Sequence, residues 1–175
     1  LWAKYDGNAL AAPEITYRIV RSATARNLVR VFHLQERLKA FGKDSAFVAK
    51  RVHVVGAGVM GGDIAAWCAG RGLTVTLQDQ NVERIAPAIK RAHAGFARRI
   101  RDKLQLRAVM DRLIPDPEGH GAAHADVVIE AIFENLEAKH SLLKGLEARM
   151  KPDAVLATNT SSLKLEDIRT VLQRP

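Results

Sequence analysis

The spacing of apolar positions changes character twice along this chain. Residues 1–23 show no clear period and contain the breaker-rich Asp6-Gly7-Asn8 and Pro13. From about Thr24 to Phe41 the apolar residues Leu28, Val31, Leu34, Leu38 and Phe41 recur at helical spacing, predicting an amphipathic helix that Gly42 ends. Gly42-Lys43-Asp44-Ser45 then reads as a short linker. At Arg51 the period changes. Val52-His53-Val54-Val55 is a short β-branched run that stops at a glycine cluster, the pattern of a buried strand. A helix follows from Met60 to Arg71, and Leu73–Asp79 alternates as a second strand. Residues 82–112 read as one long, bent or broken helical region with Pro87 in its first turns, followed by a very short strand at Leu113-Ile114. Further strands are predicted at Asp126–Ala131 and Ala154–Thr158, with helices at Glu137–Met150 and Leu165–Leu172.

Strand and helix in alternation imply a parallel sheet with right-handed crossovers and helices on both faces. The expected fold is therefore α/β, a Rossmann-type doubly wound sheet. The expected organisation is a linker with an amphipathic helix over 1–49 and an α/β domain over 50–175. The chain begins at Leu1 and stops at Pro175 just after a helical pattern, so both ends read as cuts from a longer protein and the domain as truncated on its C-terminal side.

The 175 residues suit a single core domain with an appendage. No run of about 18 apolar residues occurs, so no transmembrane helix is expected. One cysteine, Cys68, excludes an intramolecular disulfide and a cysteine-based zinc site, and points to a reducing intracellular compartment. No metal site is expected. Net charge is +8, and its location matters more than its size. Residues 1–50 hold 9 basic and 4 acidic residues, and the stretch from Lys90 to Arg112 holds eight basic residues against Asp102 and Asp111. With little aromatic interleaving for base stacking, solvated helix faces are favoured over nucleic acid as the explanation.

Gly56-Ala57-Gly58-Val59-Met60-Gly61 fits G-x-G-x-x-G, directly after a predicted strand and at the mouth of a predicted helix. Gly56 makes the tight turn, Gly58 lets backbone approach a pyrophosphate, and Gly61 permits close helix–strand packing. Free N–H groups and the positive end of the helix dipole face the phosphates. Asp79 lies 21 residues after Gly58 at a strand end, placed to accept from ribose hydroxyls. Gln80 and Asn81 follow with no immediate arginine, which favours NAD over NADP.

Three stretches narrow the family: Val55–Gly62, Val128-Ile129-Glu130-Ala131-Ile132-Phe133-Glu134-Asn135-Leu136-Glu137-Ala138-Lys139, and Ala157-Thr158-Asn159-Thr160-Ser161-Ser162-Leu163. From Arg51 to Pro175 the chain closely resembles the NAD-binding domain of 3-hydroxyacyl-CoA dehydrogenases. The segment Arg26–Leu38 resembles linkers that precede this domain in multifunctional β-oxidation proteins carrying an upstream enoyl-CoA hydratase. The resemblance implies oxidation of 3-hydroxyacyl-CoA to 3-ketoacyl-CoA with hydride transfer to NAD. It assigns the cofactor to Gly56, Gly58, Val59, Met60, Gly61, Asp79 and Gln80, and on the nicotinamide side to Ala131, Ile132, Glu134, Lys139, Asn159 and Ser161. Ser161 would also orient the reacting hydroxyl.

Each of these has a plainer reading. Glu134 and Lys139 also suit a surface ion pair, and a Ser or Thr of Thr160-Ser161-Ser162 also suits capping of the last helix, with Ser162 able to cap while Ser161 faces the site. The family's general base is a histidine expected beyond Pro175, and none of His33, His53, His93, His120, His124 or His140 occupies the matching position. The chain is thus expected to bind NAD without turnover. Lys90–Arg112 would steer the CoA phosphates, and Asp63 stands where the family commonly has glycine. The resemblance further implies an acyl-CoA substrate, an oligomer or thiolase partner in the parent complex, and a cytoplasmic setting (mitochondrial or peroxisomal in a eukaryote). Two rival readings are another two-domain hydroxyacid dehydrogenase and a non-catalytic NAD-binding, redox-sensing module.

Overall fold

The structure is a computed structural model that describes residues 12–41 and 45–174. Asp6-Gly7-Asn8 and the expected helix stop at Gly42 lie outside the described residues. The chain divides into two units, Leu1–Phe47 and Val48–Pro175. The first holds two helices, α1 (Ala12–Arg21) and α2 (Ala23–Ala40). α1 falls where no period is legible. Pro13 is tolerated in its first turn, Glu14 suits the positive end of its dipole, and Arg18 and Arg21 suit the other end. Ser22 separates the two helices and caps α2 by accepting from Ala25 N at 3.1 Å. The stripe Leu28, Val31, Leu34, Leu38 and Phe41 is helical as its spacing requires, and every one of these side chains is exposed.

The second unit is a five-stranded sheet in the order β3-β2-β1-β4-β5, with every pairing parallel. Its strands are β1 (Arg51–Val55), β2 (Thr74–Gln78), β3 (Leu113–Pro115), β4 (Val127–Glu130) and β5 (Val155–Thr158). Between them run α3 (Val59–Gly70), α4 (Ile85–Ala97), α5 (Lys103–Met110), α6 (Leu136–Glu147) and α7 (Leu165–Ile168). Alternate residues of β1 feed two cores. Val52 and Val54 join Val75 and Leu77 against Ala65 and Ala69 of α3 and Ala88 and Ala92 of α4. Val55 and Val128 pack on the other face against Leu146 and Met150. Small residues of α3 and α4 line this core, and Gly62 meets Ala88 where the two helices pack.

The helical region after β2 is two helices, not one. Asp102 breaks it by capping α5, accepting from Leu104 N at 2.7 Å and Gln105 N at 3.0 Å. The last helix is also shorter than its pattern suggests. It ends at Ile168 and continues as a 3-10 turn over Arg169–Val171. Asp126, just before β4, holds the start of β1 by accepting from Lys50 N at 2.8 Å and Arg51 N at 2.9 Å, and it pairs with Lys151 at 2.7 Å. The Lys151 contact and those two N–H bonds hold its carboxyl far below the usual carboxylate range.

His53 is fully buried in β1, within 2.8 Å of Thr76 Oγ1 and 3.0 Å of Gln78 Oε1. Burial pushes its pKa below the usual value. The Gln78 bond and Asp116 work against that push, and Arg149 adds to it. A pKa depressed by folding means the unfolded chain binds the proton more readily, so stability falls as pH drops below about 6.5. Urea midpoints are expected to decline between pH 7.5 and 5.5, and to decline less in His53→Val. That variant starts lower because Thr76 and Gln78 lose their partner. Equal declines in the two proteins would show that His53 does not titrate as a buried neutral group.

Candidate functional site

In an open parallel sheet, ligands bind beyond the carboxyl ends of the strands where the strand order reverses. Here that point lies between β1 and β4, and a cleft of about 620 Å³ opens there. A cleft of about 350 Å³ at the opposite edge is lined by Arg51, Thr74, Thr76 and His124, and the glycine loop takes no part in it.

The loop after β1 forms one wall. Gly56 adopts φ +109°, a conformation open to glycine, and donates its N–H to Gln78 O at 2.8 Å. A Cβ on Gly56 would overlap Ala131 O, and a Cβ on Gly61 would overlap Gly56 O. These two glycines therefore serve close backbone packing. Gly58 differs: nothing lies within 4 Å of where its Cβ would be. It sits at the N-cap of α3 without a side-chain cap, so the first N–H groups of that helix are left for a ligand. Val59 and Met60, both exposed, complete this wall.

Asp79, at the end of β2, lines the cleft and is 7% exposed. Its Oδ2 accepts from Ala57 N at 2.6 Å and its Oδ1 from Asn81 N at 2.8 Å. The carboxylate thus fastens the glycine loop to the turn after β2, and each oxygen keeps a second lone pair for a ribose hydroxyl. Gln80 lies beside it on the wall, and so does Arg84 from the 3-10 turn before α4.

On the far side stand Ala131, Ile132, Phe133 and Glu134 after β4, and Asn159, Thr160 and Ser161 after β5. Glu134 binds these two loops together. Its carboxylate accepts from Ser161 N at 2.8 Å and from Thr160 Oγ1 at 2.9 Å. The Ser161 N–H, then the Thr160 hydroxyl, lower its pKa, with a smaller push from Lys139. Ser161 Oγ lies 3.4 Å from the same carboxylate and faces the cleft. Of the Ser and Thr residues read as possible caps, Thr160 and not a serine bonds a backbone N–H before α7. Lys164 holds the N-cap of α7 without a side-chain bond, and Thr160 Oγ1 accepts from Leu163 N at 3.2 Å.

Lys139 and Gly61 are the two assigned residues that do not line the cleft. Lys139 is fully buried, and its ammonium lies 2.6 Å from Glu130 Oε1 and 3.6 Å from Glu134 Oε2. The surface-pair reading is thereby corrected: this is an interior ion pair. Glu130, also fully buried, receives Ile132 N at 2.8 Å and Thr158 Oγ1 at 2.5 Å as well. The network joins β4, β5 and α6 beneath the nicotinamide-side wall. A glutamate closing an apolar strand, with a lysine nine residues on, is its signature in the sequence.

No histidine lines the cleft. His140 hydrogen-bonds Asp167 O at 2.8 Å, and His120 opens a 3-10 turn that His124 follows. Among the described residues, no group of three or more His, Cys, Asp or Glu stands together as a metal site. Asp63 is exposed on α3. No helix among them is long and apolar enough to cross a membrane.

A glycine-lined helix N-terminus, a strand-end aspartate and two polar loops at the switch point define a dinucleotide-binding Rossmann domain. The family model for the 3-hydroxyacyl-CoA dehydrogenase NAD-binding domain matches residues 51–175. The chain belongs to that family. It is 30% identical over 165 residues to a fatty acid oxidation complex subunit alpha from Psychrobacter, covering 90% of this chain and 23% of the relative. It also matches the structure of 3-hydroxybutyryl-CoA dehydrogenase from Escherichia coli at TM-score 0.69 and 34% identity, over 73% of this chain and 28% of that one. The (S)-3-hydroxybutyryl-CoA dehydrogenase of Ralstonia eutropha matches at TM-score 0.68 and 27% identity, over 73% and 46%. The chain therefore spans between about a quarter and a half of the length of these relatives.

Proposed function

We propose that this chain is the cofactor-binding part of an enzyme that oxidises 3-hydroxyacyl-CoA to 3-ketoacyl-CoA in fatty acid β-oxidation. The observation that carries the reading is the single cleft shared by the glycine loop, Asp79 and the Glu134-bound Asn159-Thr160-Ser161 loop. The open space at Gly58 and the N–H groups of α3 fit the pyrophosphate of NAD, and Asp79 fits its ribose. NAD supplies a hydride acceptor when bound. Val59 and Met60 beside the glycine loop, Gln80 beside Asp79, and Ala131, Ile132 and Asn159 on the far wall would hold it. Glu134 holds Ser161, whose hydroxyl orients the substrate oxygen, and Lys139 acts by fixing Glu130 and Glu134 from below. A proton acceptor is still needed. With no histidine on the cleft, the chain binds NAD and does not turn over substrate by itself.

The basic residues after β2 contribute to steering of the CoA phosphates in this reading. They are divided between α4, α5 and the segment joining them, and Arg112 is spent on Ala69 O at 3.0 Å. The cytoplasm, or the matrix of a mitochondrion or peroxisome, is the setting we assign. The names of the relatives support an acyl-CoA substrate and membership of a complex, and a thiolase or further copies of the chain are the partners we assign there.

Calorimetry with NADH tests the cofactor assignment. Asp79→Ala removes the ribose acceptor and releases both Ala57 N and Asn81 N. NADH binding is expected to weaken at least about tenfold, since bonds to a charged group contribute roughly 1.5–3 kcal/mol each. Equal binding by wild type and a folded Asp79→Ala would remove Asp79 from the cofactor site.

A further inference from the structure

In the sequence the Asp79 carboxylate and the lack of an arginine directly after it both speak against a 2′-phosphate, but the fold brings an arginine to the same place. Five residues past Asp79, at the end of the 3-10 turn, the chain comes back to the same cleft and presents Arg84. Its side chain is exposed and makes no salt bridge with any described residue. Asp79, which shares that end of the cleft, has both oxygens turned to the backbone N–H groups of Ala57 and Asn81. Its charge is thus partly answered inside the protein, and its exposure is small.

A second guanidinium follows seven residues later, roughly two turns along α4 and so on the same face. Arg91 Nη2 donates to Gly58 O at 3.1 Å and lies across Gly62, where a Cβ would stand 3.0 Å from it. Between the two arginines, Ala88 packs against Gly62. Arg84 just before α4 and Arg91 on it thus place positive charge on the cleft wall and beside Gly58 at the start of α3.

We propose that Arg84 gives the adenosine end of this cleft an affinity for 2′-phosphorylated dinucleotide, NADP(H), beside NAD(H). The inference rests on the reading of the cleft as a dinucleotide site. A guanidinium presents paired donors that match a phosphate, and Arg84 has them unspent. Asp79 opposes a second anion beside the ribose, so NADH remains the tighter ligand. Arg84 narrows the gap rather than reversing it.

Calorimetry on the whole chain at low and moderate salt, with NADH and NADPH in parallel, decides the matter. Wild type is expected to bind both, NADPH more weakly and with the steeper salt dependence. Arg84→Ala should weaken NADPH about tenfold, the loss of one charge-assisted contact, and NADH by less than about twofold. Arg84→Lys should fall between, keeping the charge without the fork. Equal losses for the two dinucleotides would place Arg84 on the adenine or pyrophosphate that both share, and would overturn the proposal. So would no loss for either, or NADH binding with no NADPH binding by wild type. Failure of wild type to bind NADH at all would instead overturn the cofactor reading, and this inference with it.

Discussion

Lys139→Ala is expected to destabilise the protein by about 3–5 kcal/mol, the cost of leaving one member of a buried ion pair alone. Both partners are fully buried, and the ammonium of Lys139 stands 2.6 Å from Glu130 Oε1. Without it the Glu130 carboxylate keeps Ile132 N and Thr158 Oγ1 as donors but loses its countercharge. Against a total stability of about 5–15 kcal/mol for a small domain, such a loss is large. Glu130→Ala should cost a similar amount from the other side. The double variant Glu130→Gln/Lys139→Met should recover much of the loss, because it removes both charges and keeps a side-chain oxygen for Ile132 and Thr158. Urea unfolding of wild type, Glu130→Gln, Lys139→Met and this double variant measures the coupling as a double-mutant cycle. The experiment also separates two roles for Lys139. A stable Lys139→Ala that loses NADH binding would make the lysine a direct cofactor ligand, whereas a destabilised one makes it the support of Glu130 and Glu134.

What the sequence makes legible here follows from how local the cause is. Val52–Val55, the glycines after it and Asp79 report their places because strand, turn and helix start within a few residues of one another. The cap at Asp102 is harder to see, since its two N–H bonds compete with a helical pattern that continues on both sides. α1 is hidden because its neighbours Asp6-Gly7-Asn8 and Pro13 read as breakers, although proline in a first turn is no obstacle. Among the site residues, those on the two loops announce themselves through Glu130–Asn135 and Asn159–Ser162. Arg84 does not, because it reaches the cleft through the turn before α4 rather than through proximity to Asp79 in the chain. Burial is the remaining blind spot. Nothing in the letters of Glu134 and Lys139 distinguishes a surface pair from a lysine sealed under the floor of the cleft.

Gly61→Ala is expected to cost both stability and NADH affinity, whereas Gly58→Ala should cost affinity alone. The two glycines share a motif, and the space around them assigns different tasks. At Gly61 an added methyl would overlap the Gly56 carbonyl oxygen and approach Ala131 Cβ to 3.2 Å. The obstacle is backbone, so no rotamer change relieves it. The start of α3 must back away from the turn after β1, carrying with it the N–H groups that face the pyrophosphate. Overpacking of this kind costs typically about 1–3 kcal/mol, with the upper end expected where the clash is with main chain. Gly58 has open space at its Cβ position and φ −62°, which alanine adopts freely. A methyl there leaves the fold within about 0.5 kcal/mol of wild type and projects into the room a pyrophosphate needs. Thermal unfolding and NADH calorimetry on both variants give a two-by-two outcome. Unchanged stability in Gly61→Ala would show that the turn and α3 do not meet as closely as the structure places them, and loss of stability in Gly58→Ala would show that the space beside Gly58 is not open. Unchanged NADH affinity in Gly58→Ala would move the pyrophosphate away from the N-terminus of α3.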